Sequence, residues 1–160
     1  MAEAPVAFLD LAAQHAEIEE EMRAAIAAVL RDSSFIGGPQ VTAFEDEFAR
    51  YCGARHAIGV ANGTDALVLA LRALDVGPGD AVLTVPFTFL ASVEAIDLVG
   101  AEPVLVDIDP RDYTIDVAAA ESILRRRRVK AIIAVHLYGQ PADMEKLTAV
   151  ARRYGARVVE

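Results

Sequence analysis

The sequence is short of cysteine, of lysine and of long apolar runs. Cys52 is its one cysteine, so no internal disulfide can form and a reducing compartment suits the chain. Cys52 closes an amphipathic segment, which predicts a core residue rather than a nucleophile. His15, His56 and His136 lie in different predicted elements, with no Cys/His/carboxylate grouping at ligand spacing, so no metal site is expected. No apolar run is long enough for a bilayer. The start, Met1 to Pro5, has neither the basic residues nor the apolar stretch of a signal peptide. These features predict a soluble cytoplasmic protein with no membrane partner. Positive charge is scarce too: a net charge of −9 leaves no basic footprint for nucleic acid. The one basic run, Arg125 to Arg128, is expected at the end of a helix, where it complements the dipole. The phosphate-loop and dinucleotide glycine fingerprints are absent, as is a nucleophile elbow.

What is present is a globular chain. Its 160 residues are 54% hydrophobic, enough for one real core. Residues 5–10 read as an extended leading segment. From Ala13 to Leu30, Ile18, Met22, Ile26, Val29 and Leu30 share one helical face, which predicts a single helix. Phe35-Ile36-Gly37-Gly38-Pro39 is a loop, and Pro39 suits the first position of a second helix running to about Cys52. Beyond residue 55 short apolar strands alternate with helices. Strands are predicted at 57–60, 81–85, 103–107, 130–135 and 156–160. Helices are predicted at 64–74, 89–99, 116–126 and 143–154. Near-continuous apolar strands mark a parallel sheet covered on both faces. The expected class is α/β, a mainly parallel sheet with crossover helices, preceded by two N-terminal helices. The chain divides as a helical segment, 1–55, and a sheet-bearing part, 56–160.

In open parallel sheets the site lies off the carboxyl ends of the strands. The first predicted strand runs into Asn62-Gly63-Thr64-Asp65, and a helix starts at once. The free N–H groups and the dipole at such a helix start form a site for a phosphate. The same turn also reads as a plain helix cap by Asn62 or Thr64. Phe87, Thr88 and Phe89 follow the second strand, Asp107 and Asp109 the third, and His136, Tyr138 and Gln140 the fourth. Together they outline a rim with a phosphate corner, an aromatic wall and hydrogen-bonding groups. Each has a plainer alternative. Phe89 serves equally as a core plug, His136 as a buried histidine satisfied by backbone, and the two aspartates as turn and cap residues.

Seven stretches carry a resemblance to one family. They are Phe8-Leu9-Asp10-Leu11; Phe35-Ile36-Gly37-Gly38-Pro39 with Phe44-Glu45; Gly59 to Leu67; Gly77-Pro78-Gly79-Asp80; Pro86-Phe87-Thr88-Phe89; Pro103 to Asp107; and Val135 to Met144. In order and spacing the chain resembles the N-terminal part of DegT/StrS-type (DegT/DnrJ/StrS) sugar aminotransferases. These are pyridoxal-phosphate enzymes of the aspartate-aminotransferase fold, fold type I. The resemblance implies that Gly63, Thr64 and Asp65, with Asn62, hold the phosphate of pyridoxal 5'-phosphate. Phe89 would lie against the pyridine ring. His136, Tyr138 and Gln140 would line the pocket, and the Phe35 loop would sit near the substrate and a second subunit of a homodimer. The implied reaction moves an amino group from glutamate to a keto group of a nucleotide-linked sugar.

The resemblance also implies that the strand ending at Glu160 runs on to an aspartate facing the pyridine nitrogen, with the Schiff-base lysine later still. Of the two lysines present, Lys130 is expected at the amino end of a strand and Lys146 inside a helix; neither suits a nucleophile above the Gly63-Thr64 turn. The 160 residues alone are therefore expected to be inactive, with no catalytic residue among them. Strand 57–60 is expected to lack its family partner. The other strands should keep the spatial order 156–160, 130–135, 81–85, 103–107, with an exposed apolar edge and poor solubility. Three other readings remain: a sugar dehydratase of the same family, a non-catalytic binding or regulatory relic, and an ordinary nucleotide-binding α/β domain.

Overall fold

The structure is a computed structural model describing residue 6 and residues 8–160. Part of the leading segment predicted at residues 5–10 lies outside the described residues. The chain forms two compact units, Met1–Gly59 and Val60–Glu160.

The first unit is helical. Asp10 caps α1 (Leu11–Ala16), its carboxylate accepting from the Ala13 N–H at 3.0 Å. Then comes α2 (Glu19–Asp32). The single helix expected from Ala13 to Leu30 is thus two. The chain leaves helical geometry at Ile18, which has φ −122° and ψ 10°. Ser33 closes α2 in the left-handed region at φ 50°. Pro39 opens α3 (Pro39–Tyr51), as its fixed φ favours. The apolar stripes of α2 and α3 form as the periodicity predicts, yet Ile26, Leu30, Phe44 and Tyr51 stay exposed. Ala49 is the buried residue of this unit among those described. Cys52, expected in a core, is exposed just past the end of α3.

The expected strand at 57–60 does not form. A strand needs a neighbour's ladder as well as apolar side chains. Here the Gly59 N–H donates instead to the Glu45 carboxylate of α3, at 2.7 Å.

The second unit begins with α4 (Gly63–Ala73) and then alternates. In order come β1 (Ala81–Thr84), α5 (Ala91–Leu98), β2 (Glu102–Leu105), α6 (Val117–Leu124), β3 (Ala131–Ile133), α7 (Met144–Arg153) and β4 (Arg157–Val159). The four strands form one parallel sheet in the order β2-β1-β3-β4, as the family resemblance implies. Side chains alternate across it with the strand period of two. Val82, Ala131 and Ile133 pack with Val68 and Leu71 of α4 and Ala95 and Ile96 of α5. Leu83 and Ile132 face the other way, onto Ala120 and Leu124 of α6 and Leu147 and Val150 of α7. β1 is buried throughout. β2 is one of the two edge strands and carries Pro103 opposite Val82, where a missing N–H is tolerated. Its residues are largely exposed, unlike the doubly covered strand expected there. Thr84 is fully buried in the ladder and satisfied, its hydroxyl donating to the Ile133 carbonyl at 3.2 Å.

Asp116 caps α6 through the Ala118 and Ala119 N–H groups at 2.8 and 3.0 Å. Asp143 caps α7 through the Lys146 N–H at 3.1 Å. The basic run lies beyond α6 rather than in its last turn. Its arginines pair laterally instead, Arg125 with Glu121 at 3.1 Å and Arg127 with Glu102 at 2.5 Å. Both arginines are more basic than usual, Arg125 through its bond to the Tyr154 hydroxyl first and then Glu121, Arg127 through Glu102.

Candidate cofactor-phosphate site

The direction of α4 sets the site. After its last turn, the Asp75 carbonyl accepts from the Lys130 ammonium at the amino end of β3. The same ammonium sits 2.9 Å from the Asp80 carboxylate, just before β1. α4 therefore ends at the amino edge of the sheet. Its 11 residues rise about 16 Å and deliver its N-terminus to the carboxyl edge.

At that N-terminus Asn62 is extended and acts as the cap. Its Oδ1 accepts from the Asp65 N–H at 2.9 Å, and its Nδ2 donates back to the Asp65 carboxylate at 3.0 Å. This reciprocal pair closes the third helical N–H. The Gly63 and Thr64 N–H groups have no partner among the described residues. Both are orphan donors of the first turn, and the dipole adds positive charge there. A Cβ built on Gly63 would meet nothing within 4 Å, so the space before the turn is open. Asp65, grouped with the phosphate binders by resemblance, has its N–H and carboxylate turned onto Asn62. The donors that remain are Gly63 N–H, Thr64 N–H and the Thr64 hydroxyl.

The other rim residues follow the strand ends. Phe89, in the loop between β1 and α5, is 74% exposed, so it is not a core plug. His136 follows β3. Its Nδ1 accepts from the Ala142 N–H at 3.1 Å and its Nε2 lies 3.2 Å from a Glu160 carboxylate oxygen past β4. It is half-buried and partly satisfied by backbone, as its plainer reading allowed. Tyr138 lies in a 3-10 turn, Leu137–Gly139, in the left-handed region at φ 55°, and is 93% exposed. Gln140 donates to the Pro141 carbonyl at 3.3 Å. Tyr138 and Gln140 line one cleft of about 480 Å³ with Phe87, Arg111 and Tyr113. Phe87 and Tyr113 form its aromatic wall, ring centroids 6.1 Å apart. Phe35 belongs to the first unit, where it borders an apolar groove with Ile26, Val29 and Leu30.

Arg111 and Tyr113 were not legible as site residues. They occupy the turn after Asp109-Pro110, whose composition signals only a turn. Asp109 anchors that turn, bonding the Arg111 guanidinium at 2.5 Å and its N–H at 2.9 Å. These bonds, the guanidinium first, pull the Asp109 carboxyl from 3.8 to about 2. The approach of Glu160 to His136 was recoverable, since the predicted strand order makes their strands neighbours. Asp107 accepts from the next residue's N–H in the turn role expected of it. Among the described residues no group of three His, Cys, Asp or Glu side chains is placed to hold a metal. No described helix is long and apolar enough to cross a membrane.

The profile of the DegT/DnrJ/EryC1/StrS aminotransferase family matches residues 16–160. The chain belongs to this family. It is 48% identical, over 97% of its length, to a UDP-N-acetyl-3-dehydro-alpha-D-glucosamine 3-aminotransferase of Acidithiobacillus ferrooxidans. It spans 42% of that relative's length. The crystal structure of S. venezuelae DesV, solved with a ketimine intermediate, superimposes with a TM-score of 0.93 at 45% identity. That match covers 97% of this chain and 42% of DesV. A structure of NtdA from Bacillus subtilis with bound cofactor PMP matches with a TM-score of 0.85 at 33% identity, over 89% of this chain and 32% of NtdA. The sheet and its flanking helices are thus those of the family's aminotransferases.

Proposed function

We propose that this chain is the cofactor-phosphate part of a pyridoxal-phosphate-dependent sugar aminotransferase. The whole protein would move an amino group from glutamate to a keto group of a nucleotide-linked sugar. One observation carries the reading: two adjacent unpartnered N–H groups, with a hydroxyl beside them, at the start of an 11-residue helix. That donor set fits a phosphate. Asn62 closes the helix onto Asp65 and leaves the Gly63 and Thr64 donors to the ligand. Gly63 offers no side chain to hinder its approach. Phe89, exposed on the same edge, would hold the flat face of the pyridine ring, and Tyr138 and Gln140 would border the substrate, with His136 at the base of their loop. When bound, the cofactor supplies an electron sink at the substrate carbon. The chain's own groups bind and orient; none is placed to act as the nucleophile.

Both lysines are held by carboxylates, Lys130 by Asp80 at 2.9 Å and Lys146 by Asp143 at 2.6 Å. This supports the view that residues 1–160 alone do not transaminate. The apolar groove at Phe35 and the exposed stripes of α2 and α3 support a homodimer. The lone, unpaired cysteine supports a cytoplasmic setting.

The test uses the whole protein and the 160-residue chain side by side. Each is given pyridoxal phosphate, glutamate and keto-sugars linked to UDP, dTDP or GDP, and 2-oxoglutarate is measured. The whole protein should release it with one of these acceptors and the 160-residue chain with none. A silent whole protein overturns the assignment, and turnover by the short chain overturns its inactivity.

A further inference from the structure

His136 is the rim residue whose two ring nitrogens are both engaged. A backbone N–H can only donate, so the bond from Ala142 at 3.1 Å makes Nδ1 an acceptor. The ring proton then sits on Nε2, directed at the Glu160 carboxylate at 3.2 Å. One tautomer alone satisfies both partners, because a proton on Nδ1 would meet the Ala142 N–H head on. The two bonds reach different places. Ala142 is buried at the far end of the loop that follows β3, and Glu160 stands just past β4. Between His136 and Ala142 run Tyr138 and Gln140, which wall the cleft against Phe87. Tyr138 holds a left-handed backbone that a bulky residue adopts only when its surroundings enforce it. The ring of His136 closes this loop across its base.

We infer that His136 is a positioning residue: as the Nε2–H tautomer it fixes the Leu137–Ala142 loop through Nδ1, ties it to the carboxyl end of β4 through Glu160, and so sets the cleft wall that receives the sugar nucleotide. The substrate part of this inference rests on the aminotransferase assignment; the tautomer and the loop clasp do not. His136 touches no reacting atom in this role. Its loss should appear in substrate capture, with the chemical step nearly untouched.

Two substitutions separate the two bonds. Asparagine places an acceptor near the position of Nδ1 and leaves Glu160 unmet. Glutamine reaches toward Glu160 and vacates the position facing Ala142. The whole protein labelled with ¹⁵N-histidine is examined by two-bond ¹H–¹⁵N correlation, with His136→Asn assigning the signal. The expected pattern is an unprotonated Nδ1 and a protonated Nε2. An Nδ1–H tautomer, or a rapidly averaged ring, overturns the inference. In the amination assay His136→Gln, which loses the part-buried bond to Ala142, should raise KM for the keto-sugar nucleotide about tenfold, and His136→Ala, which loses both bonds, at least as much, each with kcat within about threefold. His136→Asn should recover most of that KM. An unchanged KM in His136→Gln, an equal loss in His136→Asn, or a collapse of kcat alone each overturns the positioning role. A protein with the expected tautomer and no aminotransferase activity removes the functional assignment and leaves the clasp standing. Activity with the opposite tautomer does the reverse.

Discussion

The Lys130 ammonium spans two segments at the amino edge of the sheet, meeting the Asp80 carboxylate at 2.9 Å and the Asp75 carbonyl. It joins the end of α4, the start of β1 and the start of β3, on the edge opposite the candidate phosphate site. Lys130→Met should therefore lower the urea midpoint without changing the slope of the transition, and leave pyridoxal-phosphate affinity as it was. The Asp80 carboxyl is held below its ordinary value chiefly by Lys130, then by the Gly77 N–H. A cofactor affinity that falls with this substitution would contradict the assignment of Lys130 to the structural edge.

Acid should loosen the turn after β2. The Asp109 carboxyl lies at about 2 against an ordinary 3.8, held down first by the Arg111 guanidinium and then by the Arg111 N–H. Its folded value is depressed, so the unfolded chain binds the extra proton between these two values and stability rises with pH there. The contribution is complete above about pH 4 and fades as pH falls toward 2. Urea midpoints measured across that window should drop more steeply for the parent than for Asp109→Asn. Parallel curves would place the acid sensitivity elsewhere.

Gly63 permits a test that removes one donor while keeping the helix. It is the first residue of α4, where proline is favoured, and Asn62 before it is extended at ψ 177°. Gly63→Pro deletes one N–H that faces the proposed phosphate. In the whole protein it should weaken pyridoxal phosphate by roughly tenfold to a hundredfold at an unchanged melting temperature. Gly63→Ala keeps the N–H, and its Cβ enters open space, so it should bind close to the parent. Equal affinities for the two variants would remove the Gly63 donor from the site.

Leu71 is fully buried between α4 and the sheet. Leu71→Ala leaves a cavity with few routes to collapse, and should cost roughly 2–5 kcal/mol of unfolding free energy. Chemical denaturation reads this directly. A cost below about 1 kcal/mol would mean that α4 is not anchored by this face.

The elements that declare themselves through local chemistry were legible. Helices expected from 116 and 143 start there because Asp116 and Asp143 cap them, a short side-chain oxygen satisfying an orphan N–H, and of Asn62 and Thr64 it is Asn62 that caps α4. Strands at 81–85, 130–135 and 156–160 declare themselves as apolar runs, and their cores are shorter by one to three residues. The break at Ile18 carries no glycine or proline, and nothing in the structure explains it. Residues 57–60 have a strand's composition without a ladder, and composition cannot report a partner. The cleft was half legible. Tyr138 and Gln140 follow a strand directly, whereas Arg111 and Tyr113 depend on how the Asp109 turn folds back. Cys52 reads as apolar by residue type, but its exposure depends on where α3 stops.

The strand order sets a schedule for folding. β1 lies between β2 and β3, and Val82 pairs with Ala131, so its second flank stays bare until about fifty more residues have been made. At a ribosomal pace of about 5–20 residues per second, that gap lasts roughly 2–10 s. Through it a strand that is buried throughout in the finished sheet offers an open edge. The nascent chain is therefore vulnerable to misassociation throughout the interval between synthesis of β1 and of β3, and slowing translation there should lengthen its dependence on chaperones.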